Sequence, residues 1–188
     1  MTRTRVLVGI VGVILTDAAL ADVTAGETKA ILCDLCHNVG AGGQVPLLQG
    51  QPAPYLEAQL HAFKQGGRKD DAMKTNTSGM TAEDMRDIAE YFAVQKQPRL
   101  TRHSNATKVA LGRERAEQLE CASCHQADYF GRDTTPRLAG QGADYLRTQF
   151  KNFRNNARSH GGAAATDIKR NPGVEDADLL AHFFATLQ

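Results

Sequence analysis

Two short stretches, CDLCH at residues 33–37 and CASCH at residues 121–125, use all four cysteines of this 188-residue chain. A Cys-x-x-Cys pair admits four chemistries: a redox dithiol, half of a zinc site, a local disulfide or a haem attachment point. A zinc ribbon needs its two pairs roughly 15 to 20 residues apart. Here they are over eighty apart and lack local partners. A thioredoxin-like dithiol belongs to a βαβ setting, whereas the surrounding sequence has helical periodicity. Local disulfides give no reason for the histidine that follows each pair, His37 and His125. In Cys-x-x-Cys-His the two thiols reach the two haem vinyl groups while the adjacent imidazole reaches the iron from one face. The doubled motif therefore predicts two covalent haem c groups, attached at Cys33, Cys36, Cys121 and Cys124, with His37 and His125 on the irons.

The N-terminus agrees with that reading. Arg3 and Arg5 precede an apolar run at residues 6–15, and Ala19-Leu20-Ala21 forms an A-x-A cleavage pattern. Residues 1–21 thus read as an export signal, predicting a periplasmic protein; the alternative is a retained N-terminus that associates with the membrane. The run is about half of the roughly twenty residues that span a bilayer. Outside the cytoplasm, thiols oxidise unless something occupies them. Lys and Arg number 22 against 21 Asp and Glu, a balance that gives no footprint for nucleic acid.

An internal repeat sets the organisation. PLLQGQPAPYLEAQLHAFKQGGR (46–68) aligns without a gap to PRLAGQGADYLRTQFKNFRNNAR (136–158). Pro46, Leu48, Gly50, Gln51, Tyr55, Leu56, Gln59, Phe63 and Arg68 recur ninety positions later, and each Cys-x-x-Cys-His precedes its copy at nearly the same distance. The chain reads as two tandem domains, 22–96 and 108–188, joined by the polar, aperiodic segment 97–107. Two small domains each bury a marginal core, so a covalent cofactor would help hold them.

Both copies read as all-α. Tyr55, Leu56, Gln59, Leu60 and Phe63 share one helical face; Thr81 with Asp84 three residues on marks a helix start, followed by an apolar stripe of Met85, Ile88, Ala89 and Phe92. Leu179, Leu180, Phe183, Phe184 and Leu187 form the second copy of that stripe. His61, His103 and His182 read as structural or surface residues.

With both haem motifs, both P-x-L-x-G-Q segments followed by YL, and the helix ending IAEYF (88–92) on the page, the mature sequence resembles the cytochrome c4 family along its whole length. That resemblance implies two class I cytochrome c folds related by a pseudo-twofold axis. It also implies that the Pro46 and Pro136 carbonyls orient His37 and His125, as outer-sphere partners do. Its functional implication is electron transfer between redox protein partners: a quinol-oxidising complex or dehydrogenase as donor, and an acceptor such as a haem-copper oxidase.

The family pattern places a methionine eight residues before the Ser or Thr that starts the last helix, which from Thr81 is Met73. Its competitors, Met80 and Met85, are explained by core packing, and Met/His ligation suits a carrier of raised potential. The second copy departs from this pattern. No methionine follows Met85, and with a short deletion in the last helix the ligand position falls between Ala165 and Asp167. His160, Lys169 or no protein ligand are the alternatives, with His160 preferred because it binds as the neutral imidazole whereas lysine must lose a proton. An open second iron would instead suit a haem enzyme or sensor. After the signal, residues 22–100 carry 8 basic and 10 acidic side chains and residues 101–188 carry 12 and 10, an opposite bias that would orient the two ends toward different partners.

Overall fold

A computed structural model describes residues 21–38, 43–98, 105–158 and 173–188. Residues 1–20 of the expected export signal, His103, His160 and Lys169 lie outside these residues. The described residues form eight helices: α1 (Val23–His37), α2 (Ala53–Gln65), α3 (Asp71–Thr77) and α4 (Ala82–Ala93) in the first domain, then α5 (Ala106–Gln118), α6 (Ala122–His125), α7 (Ala143–Arg154) and α8 (Val174–Thr186) in the second. None is long and apolar enough to cross a membrane.

Side-chain caps start these helices where local sequence places them. The Asp22 carboxylate accepts from the N–H groups of Thr24 and Ala25 at the head of α1, and Thr81 and Asp84 form a reciprocal box at the head of α4. Asn105 accepts from Lys108 N at 3.0 Å, so Ala106 and Thr107, expected in the linker, are the first residues of α5. At α8 the Asp176 carboxylate accepts from Gly173 N at 2.7 Å, and glycine has no side chain to reciprocate.

In each domain the first helix crosses the last: α1 on α4 and α5 on α8, with α2 and α7 packed alongside. The expected stripes are the cores. Ala30, Tyr55, Leu56, Ile88, Ala89 and Phe92 form one cluster, and Ala116, Leu119, Tyr129, Ala139, Leu146, Leu180, Ala181, Phe183 and Phe184 the other. Burying each large side chain contributes about 1.5–3 kcal/mol. The crossing is clasped by ion pairs that correspond between copies: Lys29 with Asp84 at 2.9 Å and Asp87 at 2.6 Å, and Arg115 with Asp176 at 2.7 Å.

The P-x-L-x-G-Q segment builds the contact between domains. Gly50 and Gly140 take φ of 71° and 67°, a left-handed turn that glycine adopts without a Cβ penalty. Each then donates to the last helix of its own domain, Gly50 N to Phe92 O and Gly140 N to Phe184 O, both 2.8 Å. The turn aims the next residue, glutamine, at the other copy. Gln51 Nε2 donates to Arg137 O and its Oε1 accepts from Arg137 N, both 2.9 Å. Gln141 does the same to Leu47, at 2.9 and 2.8 Å.

Further along, Arg68 donates to the Tyr145 hydroxyl and Arg158 to the Tyr55 hydroxyl, each at 2.9 Å. Their guanidinium groups also lie over Phe63 and Phe153 at 4.4 and 4.8 Å, and an isolated antiparallel bridge joins Arg68 to Arg158. Each of these contacts between domains maps onto its partner by the same ninety-residue shift, so the two domains are related by a pseudo-twofold axis, as the family resemblance implied.

Candidate functional site

The last turn of α1 carries the first Cys-x-x-Cys-His. Cys33 is half-buried, Cys36 exposed and His37 buried. His37 Nδ1 lies 2.9 Å from Pro46 O. A carbonyl only accepts, so Nδ1 carries the proton and the Nε2 lone pair is left to bind a metal. Burial pushes the His37 imidazole below its ordinary range, with the Pro46 carbonyl acting the other way, which favours the neutral form that coordinates. Burial likewise pushes the Cys33 thiol up.

The second copy repeats this geometry on a different backbone. Between Gly112 and Cys121 lie two more residues than between the corresponding Gly26 and Cys33. They break the helix: α5 stops at Gln118, Glu120 takes φ of 52°, and α6 supplies Ala122–His125. His125 is nevertheless buried, and its Nδ1 lies 2.8 Å from Pro136 O. None of the four cysteines is joined in a disulfide, and among the described residues no group of three or more His, Cys, Asp or Glu converges as a directly held metal ion would require. Paired thiols outside any disulfide, beside an imidazole oriented through Nδ1, fit a covalently attached haem and not a zinc site.

The three methionines separate as their positions imply. Met85 is completely buried in α4, and Met80 packs against the first core cluster. Met73 lies half-buried in the short α3, away from that cluster; its N–H is capped by Asp70 at 2.9 Å and its carbonyl accepts from Thr77 Oγ1 at 2.8 Å.

For the second copy, the helix start corrects the expected register. Gly173 occupies the place of Thr81, and Gly173 to Phe184 has the same length as Thr81 to Phe92, so the last helix carries no deletion. Eight residues before Gly173 is Ala165, a side chain with no donor atom. His160 and Lys169 fall outside the described residues, as does Ala165. Of the other histidines, His182 donates from Nδ1 to Asp178 O within its own helix at 2.8 Å, and His61 stands beside Glu57 at 3.7 Å.

Sequence reasoning missed three features. Gly26 and Gly112 lie at the helix crossings. The Lys29 and Arg115 clasps tie those crossings, and their matched spacing was the available signal. Arg137 replaces Leu47 in the otherwise repeated P-x-L-x-G-Q segment, a mismatch visible in the alignment.

The profile of the Cytochrome c family matches residues 23–94 and again 109–187. Cytochrome c4 of Pseudomonas aeruginosa is 35% identical over 158 residues, covering 77% of this chain and 77% of that protein. Cytochrome c4 of Azotobacter vinelandii is 31% identical over 164 residues, covering 77% and 78%. The crystal structure of reduced recombinant cytochrome c4 from Pseudomonas stutzeri superposes with a TM-score of 0.80 at 26% identity, covering 90% of this chain and all of that one. Two domains with one Cys-x-x-Cys-His each, the pseudo-twofold contact and these relatives lead to one conclusion: the chain belongs to the cytochrome c4 family and carries two covalent haem c groups.

Proposed function

We propose that the protein is an exported electron carrier that passes single electrons between a quinol-oxidising complex or dehydrogenase and an acceptor such as a haem-copper oxidase. The observation that carries this is the pair of histidines whose Nδ1 is held by a proline carbonyl, Pro46 for His37 and Pro136 for His125, each next to two cysteines that form no disulfide. When bound, the haem iron supplies reversible one-electron chemistry. The chain's own part is to hold the groups: Cys33 and Cys36 anchor the first, Cys121 and Cys124 the second, and the proline carbonyls fix ring orientation and tautomer.

In the first domain Met73 is assigned as the sixth ligand, a soft thioether that favours ferrous iron. In the second, His160 would supply a nitrogen, which favours ferric iron. The second midpoint potential would then lie below the first, so that electrons would enter at the second domain and leave from the first. Spectroelectrochemical titration of wild type and His160→Ala tests this. Two equal, high midpoints defeat the ordering, and an unchanged spectrum in His160→Ala removes that ligand.

A second reading, a haem enzyme or sensor, draws on one observation: Ala165, eight residues before the Gly173 cap, offers no donor atom. Carbon monoxide added to the reduced protein separates the two readings, since ready binding at one haem favours the second.

A further inference from the structure

The pseudo-twofold axis has a side chain on it. Arg137 Nη1 donates to Ala139 O at 2.6 Å and Nη2 to Gln49 O at 2.7 Å. Ala139 is the ninety-residue counterpart of Gln49, so one guanidinium bridges the same carbonyl of both domains. A group bonded at nearly equal distance to symmetry-related atoms sits at the axis. The counterpart of Arg137 is Leu47, which is buried but uncharged.

This guanidinium is 1% exposed. Among the described residues its Nε has no hydrogen-bond partner, nor does the neighbouring Gln49 Oε1. Its two acceptors are carbonyls, and among the described residues no Asp or Glu side chain pairs with it. Burial pulls its pKa down to about 10, which leaves it charged at neutral pH. A buried charge is costly, and in a low-dielectric interior its field extends well beyond its contacts.

We propose that Arg137 is an on-axis electrostatic bias that raises the midpoint potentials of both haems together. The reasoning is symmetry and sign. Oxidising a haem adds positive charge to its site, a fixed cation opposes that change, and a cation on the axis stands in equivalent relation to the two domains. Arg137 therefore sets the mean of the two potentials, whereas the ligands set their difference. The inference rests on the two haems and not on which residues are the sixth ligands.

The test is redox titration of the intact two-haem protein as wild type, Arg137→Leu, Arg137→Gln and Arg137→Lys, each checked for two-haem mass and for unfolding midpoint in urea. In Arg137→Leu both midpoints fall by similar amounts and their separation is kept. Arg137→Gln, which still offers an N–H donor to the axis, falls likewise and serves if the leucine variant does not fold. Arg137→Lys retains the wild-type midpoints even where its unfolding midpoint drops, because charge and not clamping sets the potential. A shift confined to one haem, or none in Arg137→Gln, overturns the proposal. A change in midpoint separation under His160→Ala bears only on the ligand assignment, so the two readings fail separately.

Discussion

Gly26 of α1 lies so close to Asp87 of α4 that a Cβ on it would stand 2.1 Å from the Asp87 carbonyl oxygen and 2.8 Å from Tyr91 Cβ. Gly112 stands in the same relation to Leu179 O at 2.2 Å and Phe183 Cβ at 2.8 Å. Backbone cannot move aside as the end of a flexible side chain can, so the helices must separate. Gly26→Ala should destabilise the first domain by at least about 1–3 kcal/mol, the usual cost of overpacking. Gly112→Ala should do the same to the second. Urea unfolding followed at each haem's absorbance checks this, and equal loss in both domains from one substitution would contradict it.

Cys121→Ala or Cys124→Ala should yield protein with one haem by intact mass and an incompletely folded second domain. A small helical domain assembled around its cofactor loses folding free energy when the attachment is cut. Retention of two-haem mass would contradict the attachment.

The three methionines give a graded expectation. Met73→Ala should lower the midpoint potential of the first haem by removing a thioether. Met85→Ala should cost about 2–5 kcal/mol of stability through the cavity it leaves and change the haem spectrum little. Met80→Ala should fall between in stability, since its side chain only borders the core, and should leave the potential in place. A lowered potential in Met80→Ala with none in Met73→Ala would reverse the assignment.

Acid should probe the helix clasp. Hydrogen bonds from Lys29, then from the N–H of Thr81, hold the Asp84 carboxyl down at about 2, and Lys29 first among its partners also lowers Asp87. An unfolded aspartate titrates near 4. A group whose folded pKa is depressed contributes stability that is full above the unfolded value and lost as pH falls toward the folded one. The first domain should therefore weaken between about pH 4 and pH 2. Lys29→Met should be less stable at pH 7 and show a flatter decline over that window, read from urea midpoints against pH.

What was legible in the sequence was local. The Thr81–Asp84 cap, the Met85 to Phe92 stripe and the two haem motifs each depend on residues within a turn or two, and the repeat multiplied their weight. The prolines needed the family resemblance, because a carbonyl nine residues from His37 has no sequence signature of its own. Gly26 stayed silent because a glycine inside a helix takes its meaning from what crosses it, here α4, more than fifty residues away. Arg137 was silent for a related reason: its neighbours Gln49 and Ala139 come together only when two domains pack. The deletion expected in the last helix was an alignment artefact, removed once Asp176 identified Gly173 as the cap.

The Leu47 and Arg137 pair bears on why these two domains share one chain. A homodimer of either copy alone would bring two identical side chains to the same point in space. Two arginines would crowd and repel there, and two leucines would take from both facing carbonyls the guanidinium donors they have here. A single asymmetric side chain bonding both carbonyls requires that the two halves differ, as they do in this polypeptide, where Leu47 is the counterpart of Arg137. Covalent fusion here does more than raise local concentration: it permits a residue choice that exact symmetry forbids.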